Sequence, residues 1–273
     1  MSIPFVYIVK SVLISGLLYL YYHIALKDKK FHSYNRFFLI GTTVVSLVFP
    51  LFNFTWYKVE GPKINSVTNL LLVLNQPPRQ LLSAPISASL VLSGFVILIS
   101  LILFALFLSK ICWIYKLKRK YKNTRMQGFT FIETPVKQAP FSFLSNLFWR
   151  AGAPLNSDTG EKIFSHELIH IKQKHSYDKI FTQVTVCLFW MNPFYWIIQN
   201  ELTLVHEYIA DSGCIAEGDT KSFAIMLLQS HNNGGYLDPS HAFFHSSIKR
   251  RLIMITTSKH AAYSYARRSW LYR

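Results

Sequence analysis

Between Ser165 and Asp178 the chain reads SHELIHIKQKHSYD, placing three histidines and two carboxylates within fourteen residues. Its core, His166-Glu167-Leu168-Ile169-His170, has the spacing H-E-x-x-H. On a helix, residues four apart share a face, so both imidazoles reach one ion while the glutamate between them addresses a water beside it. The chemistry would be zinc-assisted hydrolysis, with His166 and His170 as ligands of Zn2+ and Glu167 as general base. With 10 histidines and seven glutamates in 273 residues, about 0.01 accidental matches are expected. A solvated, charged helix face is the plainer reading, but it leaves unexplained why a histidine pair brackets a glutamate beside apolar Leu168, Ile169 and Ile171.

Catalytic zinc takes three protein ligands and keeps an open position. His175 lies five residues past His170, about 140° round an unbroken helix, so it faces away and reads as a surface or capping histidine. Glu207, in HEYIAD, is the better third ligand, because Asp211 sits one turn later and can orient a ligating histidine from behind. His206 and Glu201 are the remaining alternatives.

These residues need helices to hold them. Ser157, Asp158 and Thr159 offer N-caps, with Glu161 in the first turn, so a helix carrying the motif starts there. Ile180 to Asn200 is an uncharged run of 21 residues. As one straight membrane-crossing helix of about 31 Å, it would strand Glu207 on the far side from His166 and His170. Asn192-Pro193 inside the run allows the chain to turn back, because proline removes a backbone donor and disfavours helix at the preceding residue. The run then becomes a helical hairpin, either buried in the core or dipping into a membrane interface. Met126 to Trp149 suits one or two short strands.

The N-terminal part is apolar. Phe37 to Trp56 and Ile86 to Ser109 are runs of 20 and 24 residues without a charge. Each is long enough to cross a hydrocarbon layer of about 30 Å. Ile3 to Leu26, interrupted only by Lys10, makes a third span rather than a cleaved signal peptide. Expected spans are therefore 3–26, 37–56 and 86–109. Basic residues concentrate in LKDKKFHSYNR and in KICWIYKLKRKYKNTR, so the positive-inside bias puts the N-terminus outside and everything after Lys110 in the cytoplasm, in a cell (inner) membrane. The net charge of +16 is assigned to anionic lipid rather than to nucleic acid, because it gathers beside span three and in the last 25 residues. Cys112, Cys187 and Cys214 show no disulfide framework.

HELIHIKQKHSYD, FWMNPFYWI and ELTLVHEYIAD, in this order, resemble the integral-membrane zinc peptidases of the BlaR/MecR type, the beta-lactam sensor and antirepressor family. The resemblance is strongest over about Phe141 to Arg251. It implies that His166, His170 and Glu207 bind zinc, that Glu167 is the base, and that the chain signals by proteolysis, inactivating a transcriptional repressor. The expected fold is mainly α and integral to the membrane. Three spans (1–115) precede a mostly helical, gluzincin-like cytoplasmic peptidase domain (116–255) and a basic aromatic tail (256–273). Sensor members of the family carry a large extracellular drug-binding domain that this sequence does not show, so a separate sensor partner or membrane stress is the expected source of the signal. The partners expected are the lipid bilayer and a cytoplasmic protein substrate, the favoured one a DNA-binding repressor, with no direct nucleic-acid contact. Two other readings stand beside this one: a quality-control or precursor-processing peptidase, and a non-catalytic adaptor in which zinc staples the domain.

Overall fold

The computed structural model describes residues 3–52, 88–215, 220, 223–225, 227 and 246–256. The apolar N-terminal segment forms α1 (Ile3–Tyr21), which continues as a π-helical turn through Leu26. After a short polar turn comes α2 (His32–Val48), closed by a 3-10 turn, Phe49–Leu51, that contains Pro50. The third helix, α3, runs over Ala88–Lys120. By length and composition, Val6–Leu26, His32–Leu51 and Val91–Lys120 can each cross a membrane. The second starts earlier than the sequence runs suggest, because His32 to Arg36 are helical too. Residues 53–56 of that expected span lie outside the described residues, as do the loop that follows, residues 86–87 of the third expected span and the tail beyond 256. Past Ser109, α3 continues through the basic stretch, where Lys118, Arg119 and Lys120 in its last turn suit the negative end of the helix dipole. One helix therefore passes through position 115.

A sheet of four strands follows, not the one or two expected. It comprises β1 (Asn123–Met126), β2 (Phe129–Thr134), β3 (Phe141–Phe143) and β4 (Asn146–Arg150), in the order β1-β2-β4-β3. The pair β2/β4 is parallel and the other two pairs are antiparallel. Gly128, at φ +86°, makes the tight turn between β1 and β2. The sheet escapes notice in the sequence because β4 is covered on both faces and shows no alternation. On one side Phe148 packs with Ile132 and with Leu117 from the foot of α3. On the other, Trp149 meets Phe164 of the next helix at 6.1 Å between ring centroids.

That helix is α4 (Asp158–Lys172), followed by α5 (His175–Leu188), α6 (Pro193–Cys214) and α7 (Ser246–Thr256). The expected break at Asn192-Pro193 separates α5 from α6, and Asn192 caps α6 by accepting from Phe194 N at 3.0 Å. The α5–α6 hairpin does not stand apart from the N-terminal helices. Tyr22, Leu26 and Leu39 form one buried cluster with Val186, Tyr195, Ile198, Leu202 and Val205. Between 220 and 227 the described residues are helical, and Phe223 and Leu227 are buried.

Candidate metal centre

Helix α4 begins as its sequence dictates. Ser157 Oγ accepts from Gly160 N at 3.0 Å, and Asp158 and Glu161 lie in the positively polarised first turn. Two turns further on, His166 and His170 are buried side by side, with their Nε2 atoms 3.2 Å apart. Glu207, from α6, brings Oε2 to 3.4 Å from His166 Nε2 and Oε1 to 3.6 Å from His170 Nε2. The three donors all lie within 4.8 Å of one another. Ligand atoms bound at about 2.0–2.1 Å with tetrahedral angles stand about 3.3–3.4 Å apart, so this spacing fits a small divalent ion of the zinc type.

Asp211 stands one turn after Glu207, with Oδ1 3.2 Å from His166 Nδ1, the ring nitrogen turned away from the other donors. Arg251, on α7, grips Asp211 with a fork: Nε donates to Oδ2 at 2.8 Å and Nη2 to Oδ1 at 2.5 Å. Its Nη1 also lies 3.1 Å from Glu207 Oε2. Sequence reasoning missed this residue, having counted Arg250 and Arg251 among the basic residues that face anionic lipid. The structure corrects both. Arg250 binds both carboxylate oxygens of Glu201, at 2.8 and 2.9 Å, and reaches Asp28 at 2.7 Å. No local acid in the sequence signals either pair, because the partners lie on other helices.

The other proposed ligands fall elsewhere. Glu201 is occupied by Arg250. His175 is not a surface residue: α4 ends at Lys172, Lys174 takes the left-handed conformation (φ 57°), and the chain turns so that His175 opens α5 fully buried. Its Nδ1 meets His170 Nδ1 at 2.8 Å. The ring of His175 stacks on that of His206, with centroids 4.2 Å apart. His206 Nε2 in turn contacts Asp178 Oδ2 at 2.8 Å, and Arg36 of α2 donates to the same oxygen at 2.6 Å. His175 and His206 therefore form a second layer that links His170 to α2.

Electrostatics divide the donors. Burial, against the opposing pull of Glu207 and with His166 adding to it, pushes His170 down to about 3, which keeps its nitrogen free to ligate. Burial alone would raise Glu207, but His166, then Arg251 and His170, outweigh it and hold the carboxyl well below its usual range. His166 is raised well above its usual value, because Asp211, Cys214 and Glu207 together outweigh burial. The carboxylates thus favour positive charge at this point. Glu167 is raised, chiefly by burial, against the opposing pull of His166 and a hydrogen bond from Ser142.

Glu167, His166, Glu207 and Arg251 line a cleft of ≈ 470 Å³, together with Lys137 and Pro140 just before β3. β3 is an edge of the sheet and lies against α4. No curated protein matches the chain. Residues 152–255, which contain the donor trio, Glu167, Asp211 and Arg251, match the family described as BlaR1 peptidase M56. That match falls on a stretch whose two histidines and glutamate are already spaced for a metal ion, so residues 152–255 are similar to the metallopeptidase domain of the BlaR/MecR-type family.

Proposed function

We propose that the chain is a membrane-embedded zinc metalloendopeptidase of signal transduction, cleaving a cytoplasmic protein, with a DNA-binding repressor as the favoured substrate and self-cleavage as a further activity. The observation that carries the reading is the meeting of His166, His170 and Glu207 at an open cleft that His166, Glu207 and Glu167 line. Among the described residues the donor group has three members, which leaves room for a water or substrate and disfavours a purely structural zinc staple.

In this reading His166, His170 and Glu207 hold Zn2+, and Asp211 fixes the ring of His166. A zinc ion there supplies Lewis acidity and brings the pKa of a coordinated water from 15.7 to about 7. Glu167 takes the proton from the attacking water. Its raised pKa suits it to return that proton to the departing amine. Arg251 helps hold Glu207 ionised and grips Asp211 with its fork. The free edge of β3, three residues long and adjacent to Pro140, holds an extended substrate by strand addition. Three apolar helices anchor the enzyme, with the N-terminus outside, residues 1–115 as the membrane domain, 116–255 as the cytoplasmic peptidase and 256–273 as a membrane-surface tail.

The test is Glu167→Gln. It should retain zinc at wild-type stoichiometry and lose cleavage of a repressor encoded beside the chain, when both are expressed in cells. Unchanged cleavage with zinc retained rejects the role of Glu167, and cleavage of other membrane proteins with the repressor untouched favours quality control.

A further inference from the structure

We propose that the α5–α6 hairpin is a re-entrant membrane element whose tip, Leu188 to Ile197, lies near mid-bilayer and whose outer face is covered by lipid acyl chains. The inference rests on reading α1, α2 and α3 as spans and adds a fourth membrane element to them.

Three helices measure the depth independently. On α1, Ser11 meets Tyr195 Oη at 2.8 Å, and Ser15 accepts from Asn192 Nδ2 at 3.0 Å. At about 1.5 Å per residue, Ser11 lies roughly 22 Å from Leu26, where the helical part ends. On α2, Ser46 meets the same Tyr195 hydroxyl at 3.1 Å, roughly 21 Å from His32. On α3, Val96 shares a cavity with Phe189, Asn192 and Ser11, again roughly 21 Å from Lys110. These lengths are counted from the basic flank of each apolar run, at Leu26, His32 and Lys110, although α3 itself continues to Lys120, and the hydrocarbon core is about 30 Å thick. A tip docked some 20 Å along three spans has passed the middle of the layer.

The charges bracket the hairpin at the matching level. From Ile180 to Asn200 there is none. On one arm Asp178 pairs with Arg36 at the start of α2, and on the other Glu201 lies 3.8 Å from Lys27 at the end of α1. Apart from Lys10, beside Ser11 on α1, whose long side chain can reach toward the opposite surface, the charged residues of hairpin and spans thus share one plane, the expected cytoplasmic interface.

The hairpin also has polar groups inside and apolar ones outside. Ser11, Ser15, Ser46 and Asn192 are buried between the helices, while Leu188 is 53%, Met191 43% and Trp196 42% exposed. In hydrocarbon, polar groups must be satisfied internally and small residues let helices approach closely. Gly16 shows the approach: a Cβ there would stand 2.8 Å from the ring of Phe194. The backbone at the break is paired locally, with Asn192 N donating to Phe189 O at 2.9 Å and the Asn192 side chain accepting from Phe194 N, while Trp190 Nε1 stays buried without a partner among the described residues.

The test uses the full chain, with Cys112 and Cys187 replaced by Ala, Cys214 replaced by Ser to keep a polar hydrogen-bonding group toward His166, and one cysteine introduced by Met191→Cys or, as a reference on α1, Leu17→Cys. Each is labelled with a fluorophore and reconstituted in phosphatidylcholine vesicles, and retained metal content confirms the fold. The expected result is a larger loss of fluorescence at both positions with mid-chain spin-labelled lipid than with headgroup-proximal spin label, and loss of reactivity toward a water-soluble maleimide. Aqueous reactivity at 191 with deep quenching at 17 overturns the hairpin while sparing the spans. A label at 191 that neither reacts nor is quenched means that protein covers the face, which also overturns it. Failure at 17 itself overturns the membrane reading and the hairpin with it.

Discussion

His170 and His175 meet Nδ1 to Nδ1 at 2.8 Å across the break between α4 and α5. With its Nε2 turned toward His166 and Glu207 and given to a metal, His170 would carry its proton on Nδ1 and donate to His175 Nδ1, which would fix the tautomer and orientation of the ligand ring. Partners of this kind are worth about 10–100-fold in metal affinity. His175→Ala should therefore weaken zinc binding by that factor in a chelator competition titration, and His175→Asn, which keeps an acceptor, should recover part of it. Wild-type affinity in His175→Ala would show that the contact does not position the ligand.

Arg251 acts on the other side of the trio. Removing its guanidinium in Arg251→Met leaves Asp211 without its fork and deprives Glu207 of a cation that helps hold its carboxyl low. The pKa of Glu207 then rises. Since the carboxylate must be ionised to ligate, metal release on acidification should begin at a higher pH than in the wild type, read as bound zinc against pH. Arg251→Lys should correct this only partly, because an ammonium lacks the planar fork. A release curve that does not move would remove Arg251 from the electrostatics of the site.

Glu167 offers a pH dependence of activity. Its pKa is raised by burial and held back in part by the Ser142 hydrogen bond. A general base works only when ionised, so kcat/KM should fall as pH drops through its pKa. Ser142→Ala takes away a bond that stabilises the carboxylate, and the acid limb should shift to higher pH with the zinc content unchanged. An unmoved limb would place the titrating group elsewhere.

How far the site was legible follows from where its partners lie in the chain. His166, Glu167 and His170 could be read because helical periodicity alone brings them to one face, and Ser157 and Pro193 could be read because caps and breaks are local signals. Glu207 needed the additional inference that the apolar run folds back, which Asn192-Pro193 supplied. Arg251 carries no local signal: its partners are on α6, across a stretch of chain with no periodic link between them. The buried position of His175 depends on one left-handed residue, Lys174, a conformation that lysine seldom adopts and that its neighbours do not announce. The four-stranded sheet was hidden because its strands are only three to six residues long, and because β4, buried on both faces, and β1, exposed throughout, carry no period-two pattern.

The start of α4 tests packing rather than chemistry. Alanine usually stabilises a helix relative to glycine by about 1 kcal/mol. At Gly160 a Cβ would stand 2.3 Å from the carbonyl oxygen of Pro154 and 2.8 Å from that of Leu155. Both contacts are with backbone, so the turn must move and take the Ser157 cap with it. Gly160→Ala should lower stability by about 1–3 kcal/mol in detergent-solubilised unfolding, the opposite sign to propensity. A raised Tm would show that this turn adjusts freely.

The pair between Arg36 and Asp178 ties the first helices to the metal layer. Asp178 also receives His206, and these two partners, against a burial effect that would raise it, hold its pKa below 3.8. A depressed carboxyl stabilises the fold fully above its unfolded value and loses that contribution as pH falls through the folded one. The wild type should therefore lose stability on acidification below about pH 4, and Asp178→Asn, lacking the titration, should show a flatter profile over the same window. Both side chains are mostly buried, at 11% and 13% exposure. Breaking the pair by Arg36→Met leaves Asp178 with a charge only His206 can answer, at a cost of about 3 kcal/mol. Arg36→Met combined with Asp178→Asn should cost less than the sum of the two single changes, measured as a double-mutant cycle in unfolding. Additive losses would mean that the two residues contribute separately, and that α2 is not coupled to the histidine layer through them.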